Sequence, residues 1–232
     1  MTIFHLKIIA IITMVIDHIG VFLLPDVFFL RIIGRLSFIL FAWLIANGAV
    51  HTRNINLYMK RLFLFALISQ IPFMLVRRQL YPNSFELNIF FTLALGLAAI
   101  IVLQRVTHPA FKLLLVAGIT FLAERFTGGF SYGAYGVVTI LIFYLFYKNL
   151  KVAAFLQTLA IFGFYVFPIL LSGNSIQHLY EHRLIGLIQP VGLLSLFFIA
   201  SYKGILGPKA KWIFYIFYPL HLTIIYLLML QI

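Results

Sequence analysis

Apolar residues run through this chain in long blocks, and charged or turn-forming residues collect in the short gaps between them. Taken as windows bounded by those gaps, the blocks fall near 6–24, 32–50, 62–76, 88–104, 112–124, 134–147, 152–171, 184–202 and 212–230. A helix that crosses a bilayer needs about 20 mostly apolar residues, so the pattern predicts about nine spanning helices joined by short loops. With no water in the hydrocarbon core to satisfy a free backbone, such segments must be helices or a closed barrel, and runs this long exclude strands. The expected class is an all-α, polytopic helical bundle, a single integral domain over 1–232. The fifth run, 112–124, is the shortest of these and is compatible with a tilted, re-entrant or continued helix.

Composition agrees with the pattern. Of 232 residues 64% are hydrophobic and 9% charged, with a mean hydropathy of +1.11, too little polar surface for a soluble globule of this size. The first run follows Lys7 as a signal peptide would, yet it is long, carries Asp17-His18 and lacks a small-residue cleavage site, so it is expected to be retained.

Net charge changes the picture in one respect. The formal +12 is spread over short clusters at the ends of the runs, which points to anionic lipid as the partner and away from nucleic acid. Counted over alternate gaps, eleven of the 17 basic residues fall on one side: Lys7, Arg53, Lys60, Arg61, Arg105, Lys112, Lys148, Lys151, Lys203, Lys209 and Lys211. The positive-inside rule then predicts a cytoplasmic N-terminus and places Asp17 and His18 in the outer half of the first span. The complete lack of cysteine excludes disulfides, thiolate metal sites and a cysteine nucleophile. The echo between Arg31-Ile32-Ile33-Gly34 and Arg183-Leu184-Ile185-Gly186 is within chance, and no inverted repeat of the kind common in secondary transporters is present.

Chemistry concentrates at a few polar positions inside apolar runs. Asp17 and His18 lie within the first span, where an ionisable side chain costs on the order of 3 kcal/mol and is functional by default. Adjacent helical residues point about 100° apart, so each needs a partner on another segment. Neutral His18 suits a general base acting on an amine or hydroxyl, or a packing histidine bonded to a carbonyl. Asp17 either orients a base, stabilises a developing cation, or neutralises Arg35 or Arg31, whose i,i+4 spacing puts both guanidiniums on one face. His221, after Pro219 in the last span, is the expected partner of the first.

Other polar groups carry weaker signals. His51, Arg53, Lys60 and Arg61 form the densest basic patch, read either as topology signal or as a phosphate-binding mouth. Asn88 and Thr92, at i,i+4, are expected to share a helix face lining a cavity or bonding a neighbour. Ser69-Gln70-Ile71-Pro72 is expected to break the third span. His178 and His182 share a face near Glu181, but without a third ligand no metal site is expected. The 26 Phe and 12 Tyr are read as packing and interfacial residues.

Several of these stretches, in order, resemble the TraX family: Met14-Val15-Ile16-Asp17-His18-Ile19-Gly20, Ile33-Gly34-Arg35, His51-Thr52-Arg53-Asn54, Phe65 to Phe73, Asn88-Ile89-Phe90-Phe91-Thr92-Leu93, Tyr132-Gly133-Ala134-Tyr135-Gly136 and Phe217-Tyr218-Pro219-Leu220-His221-Leu222. The resemblance implies a bacterial membrane protein whose relatives acetylate the N-terminal amine of conjugative pilin, with acetyl-CoA as donor. It extends loosely to membrane acyltransferases such as the lysosomal heparan glucosaminide acetyltransferase, and by that analogy Asp17 and His18 occupy the reactive corner. The chain departs from the family pattern at Ile39, where a proline is usual, and at Asn47 and Ser131, where acids are common. These departures leave the acceptor open between a pilin and a cell-surface glycan.

The expectation is therefore an acetyl-CoA-dependent transmembrane acetyltransferase. His18 is its base, Asp17 and His221 orient or share the proton, and Arg35 stabilises the oxyanion. His51, Arg53 and Arg61 hold the donor's phosphates, with Asn88 and Thr92 as further donor-site groups. The alternatives are a proton-coupled transporter using Asp17, His18 and His221 as a relay, and a non-catalytic membrane assembly factor.

Overall fold

A computed structural model describes residues 1–83, 85–127, 132–171, 183–208 and 211–231. His178, Glu181, His182 and Ser131 lie outside the described residues. Within them the chain is helical throughout, without strands: α1 (Ile3–Phe22), α2 (Phe28–His51), α3 (Ile55–Leu80), α4 (Ile89–Arg105), α5 (Pro109–Thr127), α6 (Gly133–Leu145), α7 (Leu150–Ile161), α8 (Phe167–Leu171), α9 (Arg183–Ile188), α10 (Ser195–Ala200) and α11 (Lys211–Met229). A π-helical turn at Phe162–Val166 joins α7 to α8, and a 3-10 segment at Gln189–Leu194 joins α9 to α10. The described helices thus form nine continuous stretches that follow the nine apolar runs.

Five of these stretches are long and apolar enough to cross a membrane: Ile3–Phe22, Phe28–His51, Ile55–Leu80, Leu150–Leu171 and Trp212–Met229. Ile89–Arg105, Gly133–Leu145 and Gly186–Ala200 are shorter and equally apolar. α5 is one helix of 19 residues, separate from α4, so the fifth run is not a continuation of the fourth. Its large apolar side chains Phe111, Leu113, Leu114 and Phe121 are all exposed, as suits a surface bathed by lipid.

Three expectations need correction at the helix ends. α3 begins seven residues before the apolar run because Asn54 caps it, its side chain accepting from Leu57 N at 2.9 Å. Lys60 and Arg61 therefore stand on the helix and not in a loop. α3 also runs unbroken through Pro72. Asn88 does not share a helical face with Thr92: it has extended backbone and is the N-cap of α4, its Oδ1 accepting from Phe90 N at 3.0 Å. An asparagine at the leading edge of an apolar run satisfies the exposed N–H groups of the first turn, a role that a position inside the helix would forfeit.

The chain divides into two compact units. The first comprises Met1–Phe41 and Lys148–Lys209, the second Ala42–Tyr147 and Ala210–Ile232. In the first, Thr2 and His5 form a capping box at the start of α1. The first free N–H groups of α1 are taken up from outside the helix, Ile3 N donating to Ile205 O at 3.0 Å and Phe4 N to Leu206 O at 3.1 Å. α10 is tied to α2 by Ser195 Oγ, which donates to Leu36 O at 2.8 Å.

In the second unit α3 packs on both α4 and α11, and α4, α5 and α6 pack on one another. Leu62, Ala66 and Phe73 of α3, Leu97 and Ile100 of α4, Tyr135, Ile140 and Phe143 of α6 and Leu222 of α11 are fully or almost fully buried. Glu124 of α5 accepts from Ala134 N at 2.9 Å and so serves the N-terminus of α6, where a carboxylate is favoured by the helix dipole.

Candidate functional site

α1 carries Asp17 and His18 in its last two turns, and α2 returns past them after a connection of a few residues around Pro25. Asp17 is gripped from two sides. Its Oδ2 lies 2.7 Å from Arg31 Nη1 and its Oδ1 2.6 Å from Arg35 Nη2. The three side chains keep 13%, 11% and 6% of their surface exposed, so these are desolvated charges. The i,i+4 spacing of the arginines delivers both to one carboxylate, and Arg35 Nε also donates to Arg31 O at 3.2 Å.

The approach depends on Gly34. A Cβ there would lie 2.1 Å from Asp17 Oδ1, so any side chain would displace the carboxylate. Small residues at helix crossings allow this kind of contact in membranes. Two guanidiniums meet one carboxylate here, and buried charge needs polar partners on every side. Gln189, at the start of the 3-10 segment and 1% exposed, faces Arg35: its Oε1 accepts from Arg35 Nη1 at 3.5 Å, while its Nε2 is buried without a hydrogen-bond partner. His18 is 8% exposed, with its ring 5.8 Å from that of Phe22.

The second unit holds the remaining predicted residues. His51, exposed at the end of α2, donates from Nδ1 to Asn47 O at 2.9 Å and meets the Tyr147 ring edge-on at 5.7 Å. Tyr147 in turn donates to Asn47 Oδ1 at 2.6 Å. Arg53 and Lys60 are exposed, whereas Arg61 turns inward, bonds the Tyr215 hydroxyl and keeps a buried Nε without a partner.

Asn88 is committed within the protein: its Nδ2 donates to Ala66 O at 2.7 Å and to Gln70 Oε1 at 2.8 Å, beside the capping bond already described. Gln70 Nε2 completes the network by donating to Glu86 O at 2.8 Å. Thr92 is fully buried. His221, 6% exposed, donates from Nδ1 to Phe217 O at 3.0 Å and stacks on the Phe217 ring at 5.3 Å. In the neutral ring that bond makes Nε2 the acceptor nitrogen. Among the described residues no three His, Cys, Asp or Glu side chains converge as metal ligands.

Sequence reasoning anticipated Arg35 or Arg31 as counter-ion of Asp17, where the structure brings both, and it missed Gln189 and the need for glycine at 34. A lone amide before proline in an apolar run, Ile188-Gln189-Pro190, was the available signal. Ser69, Gln70 and Asn88 were each visible as polar intrusions, but nothing local pairs residues 70 and 88.

Long apolar helices with buried ion pairs and few exposed charges define a multi-pass helical membrane protein. More particularly, the chain belongs to the TraX family, whose model, "TraX protein", matches residues 4–229. It is similar to the probable fimbrial assembly protein FimC, serogroup H1, of Dichelobacter nodosus, with 30% identity over 237 residues covering 96% of this chain and 93% of that protein. No solved structure matches.

Proposed function

We propose that this pilin-related membrane protein is an acetyltransferase that moves acetyl from cytoplasmic acetyl-CoA to an amine or hydroxyl of a pilin or surface-glycan acceptor, in a bacterial inner membrane with the N-terminus cytoplasmic. The observation that carries the reading is the desolvated Asp17–Arg31–Arg35 cluster with buried His18 on the next residue of α1. A membrane helix that needed only to pack would place leucine at both positions. Guanidiniums fixed in a water-poor setting support stabilisation of a developing oxyanion, because fixed charges act more strongly there than in water.

In this reading His18 takes the proton as the acceptor's nitrogen or oxygen bonds to the acetyl carbon, and returns it as the carbon–sulfur bond breaks and the thiol leaves. Arg35 faces the oxygen on which negative charge builds. Asp17 fixes Arg35 and Arg31, and His221, with an acceptor nitrogen at Nε2, serves proton exchange. The thioester supplies an activated acetyl group; His51, Arg53 and Arg61 hold its phosphates, and the orphaned Nε of Arg61 suits an anionic oxygen. Asn88, with its amide donors spent on Ala66 and Gln70, has no part in holding the donor.

A proton relay through Asp17 would have to break two ion pairs of 2.7 Å or less at each turnover, which argues against the transporter. The assembly-factor reading draws support from the fimbrial relative. The test is turnover of radiolabelled acetyl-CoA by purified protein in lipid, alongside His18→Ala of equal thermal stability. Saturable thioester loss that disappears in His18→Ala is expected. A folded protein that neither binds nor cleaves acetyl-CoA would sink the acetyltransferase and leave the assembly factor.

A further inference from the structure

Basic residues that merely orient a membrane protein extend towards water and head groups, as exposed Arg53 and Lys60 do. Arg61 breaks that habit. It is half-buried, it donates to the Tyr215 hydroxyl, and its Nε is buried with no acceptor. Tyr58, three residues earlier on α3, interacts electrostatically with both Arg61 and Tyr215. Its position requires Gly48 on α2, since a Cβ there would come within 2.9 Å of Tyr58 Cε1 and Oη. Three groups able to donate hydrogen bonds, one of them charged, therefore stand together with no carboxylate described among them. A cation bonded to one phenol, with a second phenol nearby and no carboxylate described beside it, is a seat for an anion.

The surroundings narrow the class of anion. Tyr215 stacks on Phe65 with ring centres 5.0 Å apart. Trp212 stands next to both, 6.3 Å from Tyr215 and 6.4 Å from Phe65, tilted by 53° and 46°. It is half-exposed, 53% of its surface remaining open. A tilted, half-exposed indole beside a phosphate seat is the arrangement in which aromatic side chains stack on a nucleobase while a cation takes the adjoining phosphate.

We infer that Arg61, Tyr58 and Tyr215 hold a phosphate and that Trp212 stacks on the attached base, so that the start of α3 and α11 binds the adenosine-phosphate portion of the acyl donor. The inference rests on the acetyl-CoA reading above and adds to it a base-binding residue and two phosphate-binding hydroxyls. It also separates Arg61 from the exposed charges, which on this account orient the protein or attract the donor without gripping it.

The two tryptophans make the test direct. Trp43 is buried, and Trp43→Phe leaves Trp212 as the sole indole in the full-length protein in lipid nanodiscs. Adenosine 3′,5′-bisphosphate is the probe, titrated against Trp212 fluorescence, with acetyl-CoA cleavage measured on the same preparation. Saturable quenching is expected, at least tenfold weaker in Arg61→Met and several-fold weaker in Tyr215→Phe, whose unfolding midpoint checks that the fold is retained. Cleavage of acetyl-CoA without quenching, or quenching indifferent to Arg61→Met and Tyr215→Phe, would overturn this site and spare the acetyltransferase. Arg61-dependent quenching without cleavage would keep the nucleotide site and remove the acetyltransferase. Neither quenching nor cleavage would remove both, leaving Trp212 as an interfacial anchor.

Discussion

Two polar sites, one in each unit, are buried by opposite means. In the first, Asp17, Arg31, Arg35 and Gln189 meet as a cluster of two guanidiniums, one carboxylate and an amide whose nitrogen has no hydrogen-bond partner. In the second, the amide network at the start of α4, which lies beside the Arg77–Glu86 ion pair, is itself neutral and nearly closed: Asn88 caps the helix, spends both amide hydrogens on Ala66 O and Gln70 Oε1, and Gln70 passes the chain on to Glu86 O. A closed neutral network stabilises a fold and asks nothing of a ligand. An open charged one is expensive to bury and persists where something else uses the charge. The contrast therefore sorts candidate chemistry from candidate architecture within one chain.

Asp17→Asn should break the contrast most severely. It strands two guanidiniums in a dry setting, and removing one partner of a buried ion pair costs about 3–5 kcal/mol. Replacing all three charges, Asp17→Leu with Arg31→Met and Arg35→Met, should recover most of that loss, because apolar groups of similar volume need no solvation. Unfolding of both variants in lipid by a denaturing detergent gives the comparison. A single variant no less stable than the triple would mean that the charges are solvated and the cluster is not a desolvated one. Acetyl transfer should be absent from both, which would separate the function of the cluster from its contribution to stability.

Asn88→Ala comes next. It removes a cap, worth about 1 kcal/mol, and leaves Gln70 without one of its partners, so a loss of about 1–3 kcal/mol is expected. Hydrogen exchange should quicken first at the start of α4, where Phe90 N loses its acceptor. Uniform exchange along α4 would show that the amide network does not hold that end.

How far these features could be read from the chain depends on whether their cause is local. The helices were legible because hydropathy in a bilayer acts over some twenty residues at once, and even the short fifth run becomes a helix of 19 residues. Asp17 was legible as an anomaly, and its partners as a pair, since i,i+4 spacing is a local rule. Asn88 was misread by one position: whether an asparagine begins a helix or lies inside it turns on where the apolar run starts, and that run starts at Ile89. The inward turn of Arg61 had no local signature at all, because its cause is Tyr215, far along the chain on α11. Gln189 meets Arg35 across 154 residues, which no spacing rule could have supplied.

Gln189→Leu should have the smallest effect on stability and so sharpens the comparison most. Its Oε1 accepts one long bond from Arg35 and its Nε2 none, so the resting protein gains little from the amide while bearing the cost of burying it. Leucine is similar in volume and needs no partner, and the change in unfolding free energy should stay within about 1 kcal/mol, of either sign. The same exchange at Gln70, whose oxygen takes up Asn88 N and Nδ2 and whose nitrogen serves Glu86 O, should cost more than that, because three bonds go with it. Two glutamines in one chain, one making three bonds and one a single long bond, thus become an internal control measured by the same detergent titration. If Gln189→Leu proved as damaging as Gln70→Leu, the ionic cluster would be as closed as the amide network, and the case for chemistry at Asp17 would lose the feature that distinguishes it.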